Sequence, residues 1–320
     1  MITYHYLQNG MLKTVTSDEV AGIPKDTIWI DLLHPTQDEE HFIEDNLDIE
    51  VPSPEEMSEI EDSSRFFVTK DGFCMIVSVV TGSQNMNPVL TEISFILDQK
   101  RLVCAHYGEL VSFKTFENKC ARQTQLFKSP DILMMSLMDA VVDRIADILE
   151  KLQSNLNDLS RNIFDNDKLD TKDLQLTVKK LGKYNSLLAK LSDSMLSIRR
   201  MLIYCKQSVS WLTKEAKDLL RSIELDIGSL TEYHTRMSSE ITFLLDATLG
   251  LINIEQNSII KVFSIAAVLF LPPTLVGTIY GMNFHDMPEL DLRFGYPLSL
   301  ILMILSALIC YVWFKIKKWL

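Results

Sequence analysis

The pentapeptide Tyr280-Gly281-Met282-Asn283-Phe284 lies between the two most apolar stretches of the chain. Val262 to Tyr280 and Tyr296 to Phe314 each contain 19 residues without a charged side chain. A helix of that length crosses the hydrocarbon core of a bilayer, which is roughly 30 Å thick, because each residue adds about 1.5 Å. We therefore expect two membrane spans, 262–280 and 296–314, joined by a short loop at 281–295.

The charges around the spans predict their orientation. Lys315, Lys317 and Lys318 follow the second span in a basic tail, 315–320, and basic flanks of this kind stay in the cytoplasm. Both termini and the large body before the first span are therefore expected on the cytoplasmic side of the inner membrane, with the loop outside. The N-terminus has no basic region followed by an apolar run, which predicts that there is no signal peptide.

Composition argues against several classes of function. The net charge is −12 and the acidic excess lies before Asn257, so we expect no binding to nucleic acid. The five cysteines are scattered and form no Cys-x-x-Cys pair, which predicts reduced thiols rather than disulfides or a zinc knuckle. The sequence contains no nucleophile–base set, phosphate loop or metal-ligand cluster, so we expect neither an enzyme nor an organic cofactor.

Residues 1–115 have the pattern of an α/β domain, and the whole chain is expected to belong to the α+β class. Two helices should begin at capping boxes, Thr36-Gln37-Asp38-Glu39 and Ser53-Pro54-Glu55-Glu56. Strands are predicted from composition and turn residues at Thr27–Leu32, Phe73–Val80, Thr91–Leu97 and Leu102–His106.

The region between this domain and the spans is predicted to be helical. No proline occurs from Asp131 to Leu271, which is typical of long helices. We predict two helices within 116–212, at about 131–164 and 171–205, and a stalk helix over 213–280 that continues into the first span. Apolar residues at heptad spacing mark a coiled-coil-like seam on the stalk, in which His234 is expected to be a packed, hydrogen-bonded residue rather than a metal ligand. The seam consists of Leu220, Ile223, Ile227, Leu230, His234, Met237, Ile241, Leu244, Thr248 and Leu251.

One face of the first span carries small and polar residues, which a lipid-facing stripe does not need. Such residues face either other helices or water, and the pattern leaves both readings open. Two spans cannot enclose an aqueous path, so a pore would need several copies of the chain around one axis. The face consists of Asn257, Ile260, Ser264, Ala267, Leu271, Thr274 and Thr278.

The Gly-Met-Asn tripeptide has two readings. Gly281 and Asn283 are residues that commonly end a helix. Alternatively, their oxygens could accept hydrogen bonds from the water shell of a cation, because Mg²⁺ loses its waters reluctantly and glycine gives the backbone extra freedom. The spans hold no charged group that could replace the waters of a bare divalent ion, so any pore would conduct hydrated ions.

The chain resembles the CorA family of magnesium and cobalt transport proteins, a two-span superfamily with a Gly-Met-Asn signature. The resemblance is strongest from about Gly250 to Leu320 and extends more weakly over the rest of the chain. It is carried by the residues 280–284 together with Met287-Pro288-Glu289-Leu290, Phe294-Gly295-Tyr296-Pro297, Ile252-Asn253-Ile254-Glu255-Gln256-Asn257, Phe270-Leu271-Pro272-Pro273-Thr274 and the Lys317–Leu320 terminus.

The resemblance implies a homopentameric funnel in the lipid bilayer that moves Mg²⁺, and also Co²⁺ or Ni²⁺. It implies a selectivity filter for the hydrated cation at Gly281, Met282 and Asn283. Asn257 would form a polar ring at the inner end, so that Gly281, Asn283 and Asn257 are the implied cation contacts, and Glu289 in the outer loop would attract cations. The remaining implied pore-lining residues are Ile260, Phe263, Ser264, Leu271, Thr274 and Thr278.

The resemblance also implies feedback, in which cytosolic Mg²⁺ bridges acidic residues of neighbouring subunits and favours the closed state. This sequence departs from the pattern, because the stalk acid of that site aligns with Ser222. The candidate regulatory ligands are Glu59, Glu56, Glu224 and Asp226. We therefore expect weaker closure by Mg²⁺. Two alternatives remain: a zinc transporter of the related branch, and a membrane-tethered sensor or scaffold without transport.

Overall fold

A computed structural model describes residues 1–8, 11–17, 22–59, 61–83, 87–120, 128–165, 170–283, 287–288, 294–317 and 319, without the side chain of Asp62. The chain forms two compact units. The first contains Met1–Lys168 and Leu176–Leu245, and the second contains Leu169–Gln175 and Asp246–Leu320.

A seven-stranded sheet forms the centre of the first unit, with the strand order β2-β1-β3-β7-β6-β5-β4. Among the described strands, β3 and β7 pair in parallel and the other neighbours pair antiparallel. The strands are β1 (Ile2–Gln8), β2 (Met11–Thr16), β3 (Thr27–Leu33), β4 (Phe66–Val68), β5 (Gly72–Thr81), β6 (Val89–Asp98) and β7 (Leu102–His106). The four predicted strands are confirmed as β3, β5, β6 and β7, whereas β1, β2 and β4 were not predicted.

Helices cover both faces of the sheet. One face packs Ile30 and Leu32 against Ile43 and Met57, which belong to α1 and α2. The other face packs Trp29 against the first turns of α4. The short helices of this unit are α1 (Gln37–Leu47), α2 (Pro54–Met57), α3 (Asp62–Arg65) and α4 (Val111–Cys120). Both predicted capping boxes are confirmed, at Thr36 and at Ser53.

The buried thiols of this unit agree with the expectation of reduced cysteines. Cys74, Cys104, Cys120 and Cys205 are free and buried. Burial raises the pKa of Cys74 and of Cys205 to about 12, so both thiols stay protonated at neutral pH.

Three long helices follow: α5 (Pro130–Asp165), α6 (Thr171–Ser208) and α7 (Lys214–Tyr280). Their bounds lie within three residues of the predictions, and α7 runs without a break from the stalk through the first predicted span. The buried Asp131 carboxylate joins the starts of α5 and α7, because it accepts hydrogen bonds from the Ser129 hydroxyl and from the Thr213 amide, the latter at 2.7 Å. Burial would raise the pKa of Asp131, but these hydrogen bonds outweigh it and lower the pKa.

The heptad seam of α7 packs within its own chain. Its side chains from Leu220 to Leu244 are mostly buried, and His234 donates from Nε2 to the Leu188 carbonyl of α6 at 3.1 Å. The Glu240 carboxylate on the same helix accepts a hydrogen bond from Gln153 of α5 at 3.0 Å. His234 is thus the packed residue that was predicted. Because α5 and α6 already cover this part of the seam, it is not free to pair with α7 of another copy.

The second unit contains two helices that are long and apolar enough to cross a membrane, by length and composition. They are the C-terminal part of α7 and α8 (Gly295–Ile316), which contains the predicted second span. The two helices pack closely at Gly277, where an added Cβ would lie 3.1 Å from the Met303 Cε of α8.

Candidate functional site

The polar face of the first span is exposed along its whole length in the single chain. Every predicted pore-lining residue, from Asn257 to Thr278, is exposed. The stripe that includes Ile265, Leu269, Val276 and Gly277 is partly buried instead. Since α8 contacts α7 at Gly277, the second span does not cover the predicted pore face. The polar face is therefore available either to water or to another helix.

Two threonines on this face direct their hydroxyl hydrogens away from it. The Thr274 hydroxyl donates to the Phe270 carbonyl at 2.7 Å, and the Thr278 hydroxyl donates to the Thr274 carbonyl at 2.8 Å. A hydroxyl that donates in this way keeps lone pairs for further hydrogen bonds. Each threonine therefore offers an acceptor, which suits the polarised waters around a cation.

The Gly-Met-Asn tripeptide begins where α7 ends. The Gly281 amide still donates to the Gly277 carbonyl at 3.0 Å, whereas the Met282 amide donates to the Ile279 carbonyl at 3.2 Å. The change from i−4 to i−3 partners is the tightening expected at a helix C-terminus. Gly281, Met282 and Asn283 are all exposed. The helix-end reading is confirmed, and it leaves the oxygens of these residues available.

Gly281 does not use the backbone freedom that was expected of it. Its φ lies outside the left-handed region, unlike that of Gly82, which is +67°. The distinctive property of Gly281 is the missing side chain, because a Cβ would lie 3.2 Å from the Gly277 carbonyl oxygen. Glu289 and Phe284 lie outside the described residues, so their predicted roles have no structural account here.

The four candidate regulatory ligands form two pairs that are close in sequence, Glu56 with Glu59 and Glu224 with Asp226. The Glu56 carboxylate caps α2 through the Ser53 amide at 2.8 Å, and the Glu224 carboxylate pairs with Lys206 at 3.0 Å. Glu59 and Asp226 are exposed. Within the described part of the chain, no three His, Cys, Asp or Glu side chains are gathered to hold a metal ion.

Ser222 has acidic neighbours that the sequence reasoning missed. It lines an open depression of about 520 Å³ together with Lys214, Glu215, Asp218 and Leu219. Asp218 and Glu215 precede Ser222 by four and seven residues, and such spacings share one face of a helix. The spacing of these two acids from Ser222 is visible in the sequence and could have predicted that they lie beside it. Asp226, which was considered in the sequence analysis, follows Ser222 by four residues and shares this face, whereas Glu224 follows by two and faces away.

Comparison with known proteins settles the family. A model of the CorA-like Mg²⁺ transporter proteins matches residues 24–318. The chain belongs to the CorA family. It is 33% identical over 326 positions to the magnesium transport protein CorA of Sodalis glossinidius, and 32% identical over 326 positions to that of Escherichia coli K12, with full coverage of both chains in each case. Membership in a magnesium transporter family, with two candidate spans, gives the chain a membrane location.

A solved CorA structure has the same fold as this family member. The complete CorA magnesium transporter of Methanocaldococcus jannaschii superposes with a TM-score of 0.78 at 18% identity, covering 100% of this chain and 99% of that one. At this identity the superposition supports the fold: an α/β sheet domain, a long helix and two C-terminal apolar helices.

Proposed function

We propose that this CorA-family chain assembles into a homopentameric channel that conducts hydrated Mg²⁺, and also Co²⁺ or Ni²⁺, across the inner membrane. The observation that carries the proposal is the exposed, uncharged face of α7, whose threonines keep acceptors available. In a ring of five copies, this face of each α7 would line a central water-filled path. The α8 helices would lie outside the ring. Both termini would then lie in the cytoplasm.

The proposed path alternates polar and apolar rings. Asn257 forms the inner polar ring, and the apolar side chains at Ile260, Phe263 and Leu271 are constrictions that close by excluding water. Ser264 supplies an oxygen between the Phe263 and Leu271 constrictions, and Thr274 and Thr278 supply oxygens between Leu271 and the mouth. At the mouth, the oxygens of Gly281 and Asn283 accept hydrogen bonds from the waters of the ion, Met282 completes the filter, and Glu289 raises the local cation concentration.

A flux assay tests the proposal directly. The purified full-length protein in liposomes is expected to carry Mg²⁺, Co²⁺ and Ni²⁺ inward with no requirement for a proton gradient, because the spans carry no proton-relay acid. The measurement is uptake reported by an enclosed metal-sensitive dye, with protein-free liposomes as the control. Flux of Zn²⁺ alone would instead support the zinc-transporter alternative, and no flux of any ion would support the scaffold.

We also propose that cytosolic Mg²⁺ closes the channel by bridging neighbouring subunits, but weakly. Glu59 and Asp226 are exposed and available to bind a cation. The Glu56 carboxylate instead caps the start of α2, and the Glu224 carboxylate forms an ion pair with Lys206. Ser222 contributes no charge, although Asp218 and Glu215 beside it retain some attraction for a cation. A ligand closes a channel only by the difference in its affinity for the two states, so fewer carboxylates mean weaker closure.

The Ser222→Asp variant is expected to close at a lower cytosolic Mg²⁺ concentration, by about threefold or more. One added carboxylate at a solvated site strengthens cation binding by up to about 1 kcal/mol. The measurement is the Mg²⁺ concentration that halves the flux. The control is Ser239→Asp, another exposed serine of α7, whose hydroxyl bonds the Thr235 carbonyl. An unchanged midpoint in Ser222→Asp would contradict the regulatory assignment.

A further inference from the structure

A cavity of about 720 Å³ lies between α5 and α6, next to the turn after β5. Its described lining residues all belong to the first unit, and none of these belongs to the predicted pore or regulatory set. The volume is in the range of small-molecule sites, roughly 300–1,000 Å³. The lining residues are Ser83, Arg144, Asp147, Ile148, Lys151, Leu152, Asn155, Lys180, Lys183, Tyr184 and Leu187.

The cavity has the opposite charge to the protein. The chain has 43 acidic and 31 basic residues, yet the lining residues that the structure describes include four basic side chains and one acidic side chain, Asp147. Arg144 and Lys151 lie two turns apart on α5, and Lys180 and Lys183 lie one turn apart on α6. Two helices thus bring their cations to one opening.

Most of these cations lack an anionic partner. Among the residues that the structure describes, no carboxylate pairs with Lys151, Lys180 or Lys183, and Arg144 reaches Asp147 only at 3.8 Å. Elsewhere on the chain, lysines find close carboxylates, such as Lys206 with Glu224 at 3.0 Å. Unpaired cations around one cavity repel each other and attract a multivalent anion.

The base of the cavity is apolar. Ile148, Leu152, Leu187 and Tyr184 are buried, with at most 8% of their surface exposed. They offer aliphatic side chains and one aromatic ring beneath the cations. An inorganic anion would contact the cations but not the apolar base. A ligand with a flat ring and a charged chain would contact both the base and the cations.

We propose that this cavity binds a nucleoside di- or triphosphate. The phosphates contact Lys151, Lys180, Lys183 and Arg144 at the opening, since charge-assisted hydrogen bonds from these groups suit phosphate oxygens. The base and ribose lie over Tyr184 and its aliphatic neighbours, with Asn155 and Ser83 as polar partners. This proposal does not rest on the transport activity, because it concerns binding to a separate surface.

The test is calorimetric titration of the full-length protein in detergent with ATP, in buffer that contains EDTA. Saturable binding is expected, with lower affinity for tripolyphosphate and none for adenosine. The Lys180→Glu/Lys183→Glu double variant is expected to lose at least about thirtyfold in ATP affinity, because two charge-assisted contacts become repulsive. Binding should also weaken as the salt concentration rises.

The matched control is the Arg199→Glu/Lys217→Glu double variant, which makes the same change in net charge at exposed positions outside the cavity. It is expected to bind ATP like the wild type, and thermal unfolding of both double variants checks that each is folded. Three results would overturn the proposal: no saturable ATP binding by the wild type at millimolar concentration, equal loss in both double variants, or equal affinity for ATP and tripolyphosphate.

Discussion

Mg²⁺ flux through the Asn283→Ala variant is expected to fall at least about tenfold in the liposome assay. The amide oxygen of Asn283 is the only side-chain oxygen of the Gly-Met-Asn tripeptide, which is exposed at the end of α7. A hydrogen bond to a charged group contributes about 1.5–3 kcal/mol, and the waters of Mg²⁺ are strongly polarised donors. In a pentamer the substitution removes five such acceptors from the same ring.

Ser306→Ala is the control for this experiment. Ser306 lies in the second span, and its hydroxyl donates to the Met303 carbonyl of its own helix at 2.8 Å. Removing it deletes a polar group from the membrane region without touching the proposed path, so flux should stay near the wild-type value. Equal flux in Asn283→Ala and wild type, together with unchanged block by a hydrated-ion mimic, would show that the filter is elsewhere.

The Trp29→Ala variant is expected to lose about 3–5 kcal/mol of stability in the sheet domain. Trp29 is fully buried on β3, stacks on His5 with ring centroids 4.1 Å apart, and meets Phe113 and Phe116 edge-on at 5.9 Å each. It therefore joins β1, β3 and α4. Truncation leaves a cavity that three aromatic neighbours cannot easily fill.

The measurement is thermal unfolding of the full-length protein, in which the sheet domain should melt at least about 6 °C lower. Trp29→Phe should lose much less, because it keeps most of the apolar volume. Trp319→Ala, which removes a half-exposed tryptophan near the C-terminus, should leave this transition unchanged. If Trp29→Ala unfolded at the same temperature as the wild type, the packing of α4 against Trp29 described above would be contradicted.

The parts of the fold that were predicted correctly are those with local causes. The capping boxes at Thr36 and Ser53 are made by residues three apart, so the sequence contains both partners. The proline-free stretch after Pro130 became α5, α6 and α7 because a long helix needs only suitable neighbours within a few residues. The family was also correctly identified, since its motifs are contiguous.

The missed elements depend on distant partners. Strand β1 was not predicted, because its identity comes from pairing with β2 on one side and β3 on the other. The short helix α4 was missed for a related reason: its buried face is defined by Trp29 and Phe95, which lie elsewhere in the chain. The assigned pore and regulatory residues stay predictions, because a site on a symmetry axis or between subunits does not exist in one chain.

The Gly-Met-Asn stretch shows which features are determined by the sequence and which are determined by the tertiary structure. The sequence alone predicted the two spans, the end of α7 at Tyr280 and the family, because bilayer thickness, helix capping and contiguous motifs act over short distances. Only the tertiary structure decided that the stalk seam is covered by α5 and α6, that α8 leaves the polar face of α7 open, and that Lys151 and Lys183 meet at one cavity. These outcomes depend on packing between segments far apart in the chain, and local periodicity does not specify which segments meet.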